Sequence, residues 1–242
     1  MERAGVAYQE DQKALVEQVF ASRRAGGEGT TPVLVADGEV IGESAAIAEW
    51  ADAHRAAGRP PLYPPGEAGA EARQLVARFG EELGVPARRV IWGRLIDDVE
   101  LTCRSWGQGL SERQRRVQPW LLRASKPVVR RALGLKRPQV EAAPREVRAT
   151  FDEVAQRLSD GRAHLLGEGL TVADISFAAM ASPAVCPAEG YPGRMPQPED
   201  FPDPYATTIR ELRAHPAGEY ALKLYREERQ GPAMQNASAM RR

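Results

Sequence analysis

Thr31-Pro32-Val33-Leu34-Val35-Ala36-Asp37-Gly38-Glu39-Val40-Ile41-Gly42-Glu43-Ser44-Ala45-Ala46-Ile47 holds two strands, the turn between them and the start of a helix. Val33-Leu34-Val35 is a short apolar run, and Asp37-Gly38 is a strong hairpin signal because both residues tolerate positive φ. Val40-Ile41 is the returning strand. Ser44 opens a helix to about His54, expected to bury Ala45, Ile47, Ala48 and Trp50. Towards the N-terminus, Ala25 to Thr31 is a Gly-rich turn. Asp11 to Arg24 has helical spacing, with Leu15, Val16, Val19 and Phe20 on one face, and Gly5 to Gln9 reads as a strand end. The expected order is strand, helix, hairpin, helix.

Towards the C-terminus, Arg59-Pro60-Pro61-Leu62-Tyr63-Pro64-Pro65-Gly66 cannot continue a helix, because proline lacks the backbone donor and constrains its predecessor. It reads as a semi-rigid linker. Beyond it the pattern is helical throughout. Glu71 to Leu83 and Arg88 to Cys103 are amphipathic, and Pro144 to Leu158 carries Val147, Phe151, Val154 and Leu158 on a buried stripe. Leu170-Thr171-Val172-Ala173-Asp174-Ile175 opens a further helix. Thr171 caps it, Asp174 reaches back to the cap amide, and Leu170 and Ile175 occupy the staple positions. That helix is expected to end near Pro183. Seven prolines from Pro183 to Pro204 then impose an extended loop before a last helix from Tyr205 to Arg229. The expected division is residues 1–58 (α/β), 59–66 (linker), 67–230 (all-helical) and a disordered polar tail, 231–242.

The chain has 242 residues, 43% hydrophobic and 27% charged, with 33 basic against 33 acidic side chains. That is the mix of a soluble globular protein, with no overall charge to draw it to nucleic acid. No apolar run is long enough to span a bilayer, and the N-terminus lacks the apolar centre of a secretory signal, so the expected location is the cytoplasm. Cys103 and Cys186 are too few for a disulfide framework. His54, His164 and His215 are scattered, so neither a metal site nor a Ser-His-Asp arrangement is expected.

Three of these stretches, in this order, resemble the cytosolic glutathione S-transferase superfamily: Thr31 to Val35 with Gly38 and Gly42 to Ile47; Leu62-Tyr63-Pro64; and Leu170 to Ile175. The resemblance implies a thioredoxin-like N-terminal domain followed by an all-α C-terminal domain. It implies glutathione as co-substrate, no metal, conjugation of the glutathione thiolate to a small electrophile, and a homodimer. Pro32 would be a cis-proline that turns the backbone of Thr31 outward to pair with glutathione's cysteine. Glu43 and Ser44 would hold the γ-glutamyl end, Ser44 its carboxylate and Glu43 its ammonium. Read without the resemblance, Ser44 is only a helix cap and Glu43 only a solvated charge. The loop from Pro183 to Pro204 is a candidate lid on the electrophile pocket.

The first strand and most of the first helix of the family's thioredoxin-like domain have no counterpart in this sequence. The family's thiol-activating Tyr, Ser or Cys lies just after that strand, and no residue here matches it. Tyr8 falls where the second strand is expected, while Cys103 and Cys186 read as structural. Two readings stand side by side: a natural start upstream of Met1, or a non-catalytic binding or scaffold protein. Ser111 to Pro138 carries nine Arg or Lys residues and only Glu112 as acid, with Val117, Trp120, Leu121, Ala124, Val128, Ala132 and Leu133 interleaved. Its apolar face is expected to pack on the domain and leave the arginines in solvent. The same composition also suits contact with an anionic membrane surface, or the border of the electrophile pocket. Pro119 and Pro127 are expected to interrupt the helix.

Overall fold

Asp37 and Gly38 take φ values of 51° and 83°, the successive positive angles of a tight hairpin whose twist matches its strands. In the computed structural model, which describes residues 1–11, 13, 17–106, 110–191 and 195–228, this turn joins β1 (Leu34–Ala36) to β2 (Glu39–Ile41). The pair is antiparallel, with Leu34 opposite Ile41 and Val35 opposite Val40. Helix α1 (Glu17–Arg24) precedes the hairpin and α2 (Ser44–Ala53) follows it. Helices then account for the regular structure from Glu67 onward: α3 (Glu67–Arg78), α4 (Val85–Leu95), α5 (Val99–Trp106), α6 (Glu112–Ala132), α7 (Arg137–Arg157), α8 (Val172–Val185), α9 (Tyr205–Ala214) and α10 (Pro216–Glu227). A small sheet with helices followed by a helical region is the expected fold class.

Several local expectations are corrected. Gly5–Gln9 is not a strand. Glu2–Ala4 is a 3-10 turn closed by Gly5, because Ala4 is drawn into a cluster with Ala51, Leu62, Tyr63, Ala72 and Val172. The Ala4 carbonyl there accepts the Ala56 amide at 2.8 Å. Leu15, Val16 and the tail 231–242 lie outside the described residues, while Val19 is half-buried and Phe20 is exposed. In α2 the buried residue is Ala51. Ala45 is exposed and Ile47, Ala48 and Trp50 are half-buried, because this helix packs through its C-terminal end. The Arg88–Cys103 helix breaks at Ile96–Asp98, where Asp98 Oδ1 accepts the Leu101 amide at 3.0 Å and starts α5. The Tyr205–Arg229 helix breaks at His215, which is extended before Pro216 as pre-proline sterics require. α7 begins at Arg137 and contains Pro144, α8 runs past Pro183 to Val185, and α6 continues through Pro119 and Pro127. Ile175 is 37% exposed, so the staple contact with Leu170 buries little.

Between α3 and α4 the chain makes a π-helical stretch, Phe79–Gly84. Pro86 has no amide to offer the Glu82 carbonyl, and the Thr150 hydroxyl donates to that carbonyl at 3.4 Å. Phe79, Leu83, Val147, Phe151, Phe177, Ala181, Leu212 and Leu224 form the main core around α8, with Phe177 5.4 Å from Phe79 and 5.8 Å from Phe151 in tilted ring contacts.

The segment after α2 is clamped from both sides. Asp52 accepts the Leu62 amide at 2.7 Å and the Tyr63 amide at 3.3 Å, while the Leu62 carbonyl accepts the Val172 amide at 2.9 Å. A side chain at Gly69 would come within 2.0 Å of the Pro64 carbonyl oxygen, so only glycine lets α3 lie against this segment. The Pro-rich stretch is anchored on either side of residues 192–194. Pro187, Met195 and Phe201 are buried. Arg213 donates to the carbonyls of Val185 and Cys186 and to Gln197 Oε1.

Asp174 is fully buried and accepts four hydrogen bonds: the Leu165 amide at 2.8 Å, the Thr171 amide at 2.8 Å, the Thr171 hydroxyl at 2.9 Å and the Tyr220 hydroxyl at 2.6 Å. Burial, with the neighbouring carboxylate, holds the Tyr220 hydroxyl far above its ordinary pKa, which keeps it a donor. Asp174→Ala should cost about 4 kcal/mol in urea unfolding, because it orphans buried donors, and Tyr220→Phe about 1–2 kcal/mol. Equal, small losses for both would refute this hub.

Candidate functional site

The hairpin gathers the four candidate residues at one end. Thr31 and Pro32 lead into β1 and Glu43 and Ser44 follow β2, so all four flank the end of the hairpin where Leu34 pairs with Ile41. Upstream, Ser22 is buried and orders the Gly-rich turn. Its carbonyl accepts the Gly27 amide at 2.8 Å and its hydroxyl accepts the Gly29 amide at 3.1 Å. The Thr31–Pro32 peptide bond is cis. Thr31, Pro32, Glu43 and Ser44 are all exposed.

Glu43, not Ser44, occupies the cap position of α2, and it makes no side-chain cap hydrogen bond. The first intrahelical bond runs from the Ile47 amide to the Glu43 carbonyl at 3.1 Å. The amides of Ser44, Ala45 and Ala46 therefore open outward at the positive end of the helix. Glu43 is held at φ 61°, ψ 128°, a region a side-chain-bearing residue avoids at a cost of about 1–3 kcal/mol. The cap-only reading of Ser44 is thus not what the helix shows. Nothing in the local sequence marks Glu43 as strained or Asp52 as the clamp that fixes the far end of α2. Both depend on the backbone path.

The remaining reactive groups are engaged elsewhere. The Tyr8 hydroxyl donates to Glu2 Oε1 at 2.9 Å. His54 stacks on Trp50 with ring centroids 4.0 Å apart, His164 Nδ1 bonds the Glu168 carbonyl, and His215 Nε2 lies 3.0 Å from Asp152. Burial pushes the Cys103 thiol up and the Cys186 thiol up to about 12. Both stay protonated near neutral pH. No three His, Cys, Asp or Glu side chains come together among the described residues. Two cavities lie in the helical region, away from Thr31 and Glu43. One of about 760 Å³ is lined by Arg210, Arg213, Lys223 and Arg226 among others, and one of about 260 Å³ lies beside Gly93 and Tyr205.

Residues 9–54, which include all four candidates, match the family model described as Glutathione S-transferase, N-terminal domain. Residues 137–202, which include Asp174, match the model described as Glutathione S-transferase, C-terminal domain. Helix α6 lies outside both matches. No curated protein and no solved structure matches the chain significantly.

Replacing Glu43 by glycine relieves the positive-φ strain, so Glu43→Gly should stabilise the fold by about 1 kcal/mol, a rise of roughly 2–4 °C in Tm. In thiol labelling at pH 8, Cys103 should react slowly in the folded protein, and Cys186 only once it is unfolded. Prompt labelling of Cys186 in the native state would mean that its burial is not maintained.

Proposed function

The chain belongs to the glutathione S-transferase superfamily, and on that premise we propose that it binds glutathione at Thr31, Pro32, Glu43 and Ser44 and conjugates the thiolate to a small electrophile. The supporting observation is the open end of the hairpin, which a cis Thr31–Pro32 bond enters and an uncapped helix N-terminus leaves. The amide and carbonyl of Thr31 pair with the cysteinyl backbone as an added strand would. The open amides of α2 and the Ser44 hydroxyl take the γ-glutamyl carboxylate, and the Glu43 carboxylate takes the ammonium. The strain at Glu43 fits a residue whose position is set for a ligand rather than for the fold.

In the conjugation, the thiolate lone pair forms a carbon–sulfur bond at the electrophilic carbon. The displaced group leaves with its bonding electrons or, in an addition, the neighbouring atom takes a proton. Thiolate stabilisation is assigned to no residue of this chain. The engagement of Tyr8 with Glu2 and the protonation of both cysteines favour a second reading, a module that binds glutathione without activating it. We place the protein in the cytoplasm as a homodimer. No described helix is long and apolar enough to cross a membrane.

Isothermal titration with glutathione separates these readings from a purely structural one. Ser44→Ala and Glu43→Ala should each weaken binding by about tenfold or more, the worth of a charge-assisted hydrogen bond. Unchanged affinity would remove these residues from the site. With binding established, turnover of an aryl halide above the uncatalysed thiolate rate supports the transferase, and its absence supports the binding module.

A further inference from the structure

Helix α6 is turned the opposite way from a core helix. Gln118, on its protein-facing side, is 3% exposed, whereas Val117, Leu121 and Val128 are 44%, 39% and 69% exposed and Trp120 is 72% exposed. Val117, Leu121, Ala124 and Val128 recur at spacings of three and four residues. They form one outward stripe about 17 Å long on the 21-residue helix. The expected packing of this apolar face on the domain is therefore overturned. What faces the protein is Gln114, Gln118, Leu122, Ser125 and Val129. The helix is tethered from behind by polar contacts. Asp97 pairs with Lys126 and, at 2.8 Å, with Arg130, and Gln114 donates to Glu17 at 2.7 Å.

Beside the stripe stand Arg113, Arg123 and Arg131, with no carboxylate partner among the described residues. Arg123 lies 5.9 Å over the Trp120 ring. We propose that this stripe with its arginine flank is a docking surface for an anionic lipid bilayer. A contiguous exposed apolar surface marks an interaction site. A helix carrying a tryptophan and arginines on its free side suits the boundary between headgroups and acyl chains. The charge pattern selects the occupant. A second copy docked stripe to stripe sets arginine against arginine. Residues 229–242 contain three arginines and no acid, so they do not complement the flank. A protein helix needs a groove, whereas the stripe is the convex side of a single helix, and the cavity that reaches α6 meets it at Arg130, on the flank that pairs with Asp97 rather than on the stripe. Helix α6 lies outside both family matches, so neither match accounts for this surface.

The test is co-sedimentation of the full chain with phosphatidylcholine vesicles, with and without phosphatidylglycerol. Tryptophan emission is followed, and Trp120→Ser assigns the shift among the four tryptophans. Binding only to the anionic vesicles, weakened by salt, with a blue shift lost in Trp120→Ser, is the expected result. The pair Arg113→Glu and Arg131→Glu should reduce partition by about tenfold or more, since each basic residue near an anionic surface is worth about fivefold. The pair Trp120→Ser and Val128→Ser should reduce it as well. Both pairs alter exposed side chains, so an unchanged circular dichroism spectrum and glutathione affinity separate lost docking from lost folding. Indifference to phosphatidylglycerol, or partition that neither pair changes, would overturn the proposal. So would concentration-dependent self-association abolished by Val128→Asp, or binding to an acidic polypeptide but not to vesicles.

Discussion

The helical region is built around a carboxylate that never meets water. Asp174 at the start of α8 draws in two backbone amides, the Thr171 hydroxyl and the Tyr220 hydroxyl. A buried charge is tolerated only when its lone pairs are filled, so each donor has to be in place at once. That requirement fixes the turn at Leu165 and the entry of α8, and it seats α10 through Tyr220. Phe177, one turn further along α8, can then meet Phe79, Phe151 and Tyr220. The aromatic core is organised by the same helix that the carboxylate anchors.

From this anchor the order passes to the hairpin through few bonds. Val172 donates to Leu62, and Leu62 and Tyr63 donate to Asp52 at the end of α2. The C-terminal end of α2 is therefore fixed on the helical region, while its N-terminal end, with Glu43 and Ser44, stands in solvent. A helix held at one end and open at the other presents its unpaired amides outward. The candidate glutathione contacts sit at that open end, where no packing competes with a ligand.

Legibility followed the range of the interactions. The Asp37-Gly38 turn, the start of α8 and the helical character of the second region rest on contacts between residues a few positions apart. The resemblance to glutathione S-transferases placed Thr31, Pro32, Glu43 and Ser44 together. The strain at Glu43 was not legible, because it arises from the path between the hairpin and α2 rather than from the residue itself. Helix breaks at Ile96–Asp98 and His215 are hidden in the sequence because apolar spacing continues across both, while Asp98 and Pro216 redirect the backbone. Proline misleads in the other direction: Pro119, Pro127 and Pro144 all lie within helices.

By itself the sequence determined the hairpin, the order of a small sheet and then helices, and the capping pair Thr171–Asp174, since each is a matter of local backbone preference and short-range hydrogen bonding. Only the tertiary structure decided which way α6 faces. Periodicity puts Val117, Leu121 and Val128 on one side of that helix. Whether the side is buried depends on what anchors the opposite flank, and Asp97 and Glu17 hold α6 by its polar residues. The apolar stripe is left in solvent because the flank that meets the protein is the one bonded to Asp97 and Glu17, where Gln118 is buried and Leu122 and Val129 are half-buried.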